Sequence, residues 1–367
     1  MESRLAKKPG DQDGDAFKRA PYSADRIWRR LHLRETVIAL TKHHYERCVH
    51  YQNILDGLNF DPRRPAELAE LPFLPVGLFK RLELLSVPRS EVCRTLTSSG
   101  TSRAARSRIF LDRETSNLQM CALASIVASL IGLERRPLLI IDAPGGTDDP
   151  AGYAARAVAI QGFSLFGAGN IVFALTEKMQ PDLEKIDRFL RETQGRKRLL
   201  FGFTYVIWRY FLRQLDASLD FANAVLIHGG GWKRLAEEGI TDAVFKSQVR
   251  ERTGLTHIHD YYGMVEQPGS IYMQCEQGLM HCSGFSEIFI RRPSDLSSAA
   301  WGEPGLIQTI SVLPRSYPGH NVLTEDMGVL QGEDDCVCGR HGKYFKVLGR
   351  MSAAEQKGCG DTYLPSS

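Results

Sequence analysis

Four short apolar runs, each closed by a turn, constrain the fold of this chain more than any other feature. They are Pro137–Asp142 (PLLIID), Asn170–Leu175 (NIVFAL), Leu199–Thr204 (LLFGFT) and Ala222–His228 (ANAVLIH). Each is too short for a core helix and lacks the polar alternation of a half-exposed strand. The pattern predicts strands buried on both faces. Turns such as Ala143-Pro144-Gly145-Gly146 end the runs, and a helical pattern such as Asp182–Thr193 separates them. The expected fold is therefore α/β, with a mostly parallel sheet flanked by helices. Ser286–Ile290 and Leu306–Val312 alternate instead and sit between Gly/Pro turns, so they read as hairpin or small-barrel strands of a small β subdomain.

Upstream, Ile27, Leu31, Leu33, Val37, Ile38 and Leu40 recur at near-helical spacing, and Tyr51, Ile54 and Leu55 continue it. This predicts helix over Ala24–Leu58, before Asp61-Pro62 and Arg64-Pro65 interrupt it. With 367 residues, 43% hydrophobic and 24% charged, the chain has room for one large domain with a sizeable core. We expect a flexible leader over 1–20, the main domain over 21–346, and a tail over 347–367 too short to fold alone. A net charge of +3 is too small to argue for nucleic acid. No run is long enough to span a bilayer, and the first residues lack an apolar signal segment. A cytoplasmic protein is expected, whose eight cysteines are thiols, metal ligands or nucleophiles rather than disulfides.

Several segments carry chemistry. Thr97-Ser98-Ser99-Gly100-Thr101-Ser102 packs hydroxyls around one glycine. Such a turn frees backbone amides to cradle phosphate oxygens, and Arg103, Arg106 and Arg108 follow it. It is not a Walker loop, because the G-x-x-x-x-G-K-[ST] spacing is absent. Gly229-Gly230-Gly231 directly follows a strand candidate, where the backbone can approach a flat ligand at the carboxyl end of a sheet. In Tyr262-Gly263-Met264-Val265-Glu266 an aromatic ring suited to stacking on a base precedes a carboxylate suited to Mg2+. In Thr324-Glu325-Asp326 a second carboxylate is placed to accept hydrogen bonds from ribose hydroxyls. Cys275, His281, Cys336 and Cys338 form a thiolate–imidazole set that suits a structural Zn2+, with Cys282 an alternative ligand. Cys359, between glycines and beside Lys357, has the setting of an accessible thiolate nucleophile.

The order of the first four elements, with Gly349-Arg350 beyond them, resembles the signature of adenylate-forming enzymes. Within that superfamily the chain is most similar to the acyl-protein synthetases of bacterial bioluminescence. The matching stretches include HHYERCVHYQNIL from His43, LPFLPVGLFK at 71–80, TSSGTS at 97–102 and LDRETSNLQ at 111–119. They continue with LIHGGGWKRL at 226–235, YYGMVEQ at 261–267, SYPGHNVLTEDMG at 316–328 and KGCGDTYL at 357–364.

The resemblance implies that ATP and Mg2+ activate a carboxylic acid, by analogy a fatty acid, as acyl-AMP. It implies that Cys359 then takes the acyl group as a thioester for delivery to an acyl reductase, with an acyltransferase as a further protein partner. Glycines 229–231 and Tyr262 would hold adenine, Asp326 the ribose, Glu266 the metal, and Arg350 would stand at the hinge position. His320, in the Pro-Gly-His turn, falls near the implied reaction centre. Larger adenylating enzymes carry a C-terminal domain with a catalytic lysine, and this sequence stops too early to hold one. The resemblance then implies that another cation serves, with Lys233, Arg350 and Lys357 all open, or that adenylation is slower. Arg103 and Arg108 stand where the family usually has glycine and lysine. Two other readings share these residues: an acyl- or aryl-CoA ligase, and a catalytically silent nucleotide-binding subunit.

Overall fold

The computed structural model describes residues 17–64, 66–98, 106–145, 150–215 and 219–351. Its centre is a parallel array of five strands. These are β4 (Leu138–Ile141), β5 (Val172–Phe173), β6 (Arg198–Phe203), β7 (Ala224–Gly229) and β8 (His257–Tyr262), in the order β5-β4-β6-β7-β8. All four apolar runs are therefore strands, and β8 is a fifth that the apolar pattern does not show.

The side-chain period of two explains why the runs are uninterruptedly apolar. Leu138 and Ile140 face one side, with Phe163, Phe201 and the helix Arg113–Ile131 through Ala122, Ile126 and Val127. Leu139, Ile141, Leu200 and Leu226 face the other, with Ile186, Phe245 and Val249 of the helices Leu183–Glu192 and Asp242–Thr253.

Beyond β8 the pairing becomes antiparallel through β9 (Tyr272–Gln274), β10 (Met280–His281), β14 (Lys343–Arg350), β13 (Asn321–Glu333), β12 (Pro304–Ser311) and β11 (Ser286–Arg291). The alternating segments do form a hairpin, β11–β12, and it continues the parallel strands in one sheet. A short early strand, β1 (Leu74–Pro75), lies parallel to β13. A separate hairpin pairs β2 (Arg94–Thr97) with β3 (Arg108–Leu111).

The predicted amino-terminal helix is two helices, α1 (Arg26–Arg47) and α2 (Val49–Gly57). Cys48 is extended at φ −116°, ψ 102° and breaks the run. Asp25 caps α1 by accepting from the Trp28 amide at 2.9 Å. Arg29, fully buried in α1, donates to Glu333 at 2.8 Å and to Asp334 at 3.0 Å, tying α1 to the end of β13. At the amino-terminal edge of the described chain, Phe17 stacks on Phe285 at 4.8 Å. The boundary expected after residue 346 falls inside β14, which runs to Arg350. No helix among the described residues is long and apolar enough to cross a membrane.

Candidate active site

Ligands of open α/β sheets bind at the carboxyl ends of the strands. The glycine arm lies there. Register places Phe203, Gly229 and Tyr261 side by side at the ends of β6, β7 and β8. Gly230 and Gly231 then adopt φ +69° and +82°, and the helix Trp232–Glu237 begins. A Cβ on Gly229 would sit 2.7 Å from the Tyr261 ring, and one on Gly231 2.7 Å from Tyr205 Cβ. This arm therefore requires glycine at both positions. Behind it, the Trp232 indole donates to Asp260 Oδ2 at 2.7 Å, and His228 Nδ1 lies 2.9 Å from the Thr204 hydroxyl. Burial pushes the Asp260 carboxyl up to about 7 and holds the His228 imidazole well below its usual range.

Tyr262, one residue beyond, points to the opposite face of β8. Its hydroxyl donates to Asp326 Oδ2 at 2.8 Å, and its ring lies against Tyr272 and Phe345 at 6.0 and 6.1 Å. Arg350 Nε donates to the other Asp326 oxygen at 3.3 Å, from the position paired with Asp326 across β13 and β14. Thr324 Oγ1 accepts from the Asp326 amide at 3.1 Å, which fixes the bend that presents this carboxylate. Tyr262, Asp326 and Arg350 thus meet at one point, and Gly263 is exposed beside them.

Glu266 lies in the turn after β8 and is 5% exposed. Burial raises its pKa, while Ser107 and the charges of Lys80 and Arg350 oppose the rise. Its backbone oxygen accepts from the fully buried Tyr317 hydroxyl at 2.8 Å. Ser107 belongs to the returning arm of the β2–β3 hairpin: its amide donates to Ser98 Oγ at 3.0 Å and its carbonyl accepts from the Ser98 amide at 3.2 Å. The hairpin therefore delivers the base of the hydroxyl loop to Glu266. Ser99, Gly100, Thr101, Ser102 and Arg103 lie outside the described residues, as do Lys357 and Cys359. His320 sits deeper, stacked on His44 at 4.9 Å and hydrogen-bonded to Thr41 at 3.0 Å, in a buried cluster under the turn that holds Tyr317.

Cys275, His281, Cys336 and Cys338 converge at the far end of β14, with all four donor atoms within 4.8 Å of one another. Cys275 and Cys336 sulfurs are 4.0 Å apart, and Cys338 Sγ is 3.4 Å from His281 Nε2. A tetrahedral zinc with Zn–S of about 2.3 Å and Zn–N of about 2.0 Å spaces its ligands about 3.8 and 3.5 Å apart. The cluster fits that geometry. Burial and the neighbouring cysteines raise the Cys338 thiol, and burial lowers the His281 imidazole, which leaves the imidazole neutral as a metal ligand must be. Cys282 is buried elsewhere and is not in the cluster.

Comparisons with known proteins give the family and the fold. A family model described as "Acyl-protein synthetase, LuxE" matches residues 17–364. The chain belongs to this family. The long-chain-fatty-acid–luciferin-component ligase of Vibrio harveyi is similar at 23% identity, over 84% of this chain and 83% of that protein. Among solved structures, 2-hydroxyisobutyryl-CoA ligase in the postadenylation state, in complex with 2-HIB-AMP, superposes with a TM-score of 0.65 at 15% identity. It covers 91% of this chain and 70% of its own. The same ligase in an open conformation gives 0.63 at 16% identity, covering 92% and 78%. The fold is that of these ligases, and the chain is a member of the acyl-protein synthetase family.

Sequence reasoning picked out Glu266, Tyr262, Asp326 and Arg350 but missed their supports. Tyr317 lies inside a quoted motif and Asp260 just before one, yet both act through contacts that spacing does not reveal. Lys80 closes the quoted 71–80 stretch and Ser107 follows the hydroxyl loop, but neither position by itself points to Glu266, whose carboxylate the charge of Lys80 and the Ser107 side chain both favour.

Proposed function

We propose that this chain uses ATP and Mg2+ to activate a fatty acid as acyl-AMP and then takes the acyl group onto the Cys359 thiol as a thioester, for delivery to an acyl reductase. The observation that carries the reading is the meeting of Tyr262, Asp326 and Arg350 beside Glu266 and the base of the hydroxyl loop. In the first step a carboxylate oxygen of the acid bonds to the α-phosphorus of ATP, and the bond to the pyrophosphate oxygen breaks. Asp326 is placed to accept from ribose hydroxyls, with Tyr262 and Arg350 holding its two oxygens. The glycine arm leaves the adenine a surface free of side chains. Glu266, its backbone gripped by Tyr317, is placed to hold Mg2+, which when bound neutralises charge on the phosphates. In the second step the thiolate attacks the acyl carbonyl and AMP leaves.

Cys275, His281, Cys336 and Cys338 would hold a structural zinc that closes the β9–β10 and β13–β14 turns on each other. The seven described cysteines are free thiols, which suits a reducing, cytoplasmic setting. The test is acid-dependent exchange of labelled pyrophosphate into ATP over a panel of acids of graded chain length. Exchange peaking with long alkyl chains is expected, and no exchange with any acid would overturn the reading.

A further inference from the structure

The acid-activation chemistry proposed above concentrates negative charge on a leaving pyrophosphate, and the described chain must meet it with cations. Most of the cations around the hairpin base are already engaged. Arg89 and Arg108 both reach Glu83, at 2.5 and 4.0 Å, and Arg350 is bonded to Asp326. Lys80 differs. It is half-buried, and among the described residues it has neither an ion-pair partner nor a side-chain hydrogen bond. Its ammonium is therefore free of any close ion pair among the described residues and is available to a bound anion.

Its placement follows from the fold. β1 runs parallel to β13, with Leu74 opposite Val322 and Pro75 opposite Leu323, and the Val76 amide donates to the Leu323 carbonyl at 2.9 Å. The chain then turns through the short helix Leu78–Arg81, which packs on β3. Phe79 faces inward, fully buried and edge-on to Tyr317 at 6.4 Å, and Tyr317 in turn grips Glu266. Arg81 faces solvent. The short helix that carries Lys80 thus follows the strand paired with β13 and packs on β3 of the hairpin, and the Lys80 charge is among those that favour the Glu266 carboxylate.

We propose that Lys80 is a catalytic cation of the adenylation step, contacting the β- and γ-phosphates of ATP and neutralising pyrophosphate as it leaves. It would fill the role for which Lys233, Arg350 and Lys357 were the open candidates. A point charge on a flexible stem suits a leaving group that moves during the reaction.

The inference rests on the proposed function, and one experiment separates the two. Pyrophosphate exchange is measured for wild type, Lys80→Met and Lys80→Arg with the best acid of the panel. Covalent acylation from that acid's synthetic acyl-adenylate is measured alongside. Lys80→Met keeps most of the apolar stem and deletes the charge. It is expected to lower kcat/KM for ATP by about 100-fold or more, with Lys80→Arg recovering most of the loss. Transfer from the preformed adenylate should stay near the wild-type rate. Exchange by Lys80→Met within about threefold of wild type, below the about 100-fold effect of one lost transition-state contact, would overturn the inference and leave the function standing. An equal fall in adenylation and transfer would also overturn it, since that is the mark of a structural residue. Wild-type protein inactive with every acid would sink the function itself.

Discussion

The Tyr262 hydroxyl donates to the Asp326 carboxylate at 2.8 Å across 64 residues of chain, welding β8 to β13 at the point where Arg350 arrives from β14. An acceptor held on both oxygens is pre-oriented, so its contribution to nucleotide binding is not spent on ordering a loose side chain. Asp326→Ala is expected to raise the KM for ATP and to cut kcat/KM for ATP about 100-fold, with the KM for the acid little changed. Tyr262→Phe, which removes one hydrogen bond worth about 1 kcal/mol, should cost about 5-fold. Steady-state exchange kinetics with ATP varied decide the matter, and an Asp326→Ala enzyme with normal ATP dependence would remove this carboxylate from the nucleotide site.

Metal analysis of purified protein should find about one zinc per chain, the number four ligands in one tetrahedral site will hold. Cys336→Ser should bring the content close to zero and lower the melting temperature, because binding energy at such a site is folding energy. Wild-type protein free of zinc after growth in zinc-replete medium would refute the assignment of Cys275, His281, Cys336 and Cys338.

Cys359 is argued from sequence alone. Cys359→Ser is expected to exchange pyrophosphate at the wild-type rate yet to accumulate no hydroxylamine-labile acyl label from radioactive acid plus ATP. Equal labelling of the variant would place the acyl acceptor elsewhere, and labelling that appears only with added coenzyme A would favour a CoA ligase.

Asp260 gives a pH-dependent stability. Its folded pKa of about 7 lies above the unfolded value of about 3.9, so the folded state keeps a proton that the unfolded chain has released. Stability from this group is therefore greatest below about pH 4, falls as pH rises through about 7, and is flat beyond. The groups facing it are His228, with Nδ1 at 3.7 Å, the Trp232 indole, and the charges of Asp242 and Lys246. Asp260→Asn keeps an acceptor for Trp232 and cannot titrate. The melting temperature of the variant relative to wild type should rise by a few degrees between pH 5 and pH 8, on the order expected for a shift of this size. A difference independent of pH would show that the carboxyl does not titrate in this window.

The parallel half of the fold was legible because burial on both faces leaves an uninterrupted apolar run, as in Leu138–Ile141. β8 was not, since His257, His259 and Asp260 break its apolar run, the last two buried and bonded to Gln274 of β9 and to Trp232. Val172–Phe173 is only two residues long at the sheet edge, and its length could not be read from a longer apolar segment. At the site, residue type and chain order pointed to Tyr262 and Asp326, which the fold brings together, and to Cys275, His281, Cys336 and Cys338, which converge. Long-range partners such as Tyr317 for Glu266, or Lys80 beside it, depend on strand pairings between distant segments, which local pattern does not encode.

The Arg29–Glu333 bond spans 304 residues, and β1 finds its partner only in β13. At about 5–20 residues per second, a ribosome needs roughly 15–60 s to make the distance between those two partners. Throughout that interval Leu33 and Val37 also lack their late-made core partners Phe285, Ile310 and Val312. Newly made chains will therefore be holdase clients at their amino terminus, and yield on overexpression should respond to chaperone supply and growth temperature more than to changes at the nucleotide site.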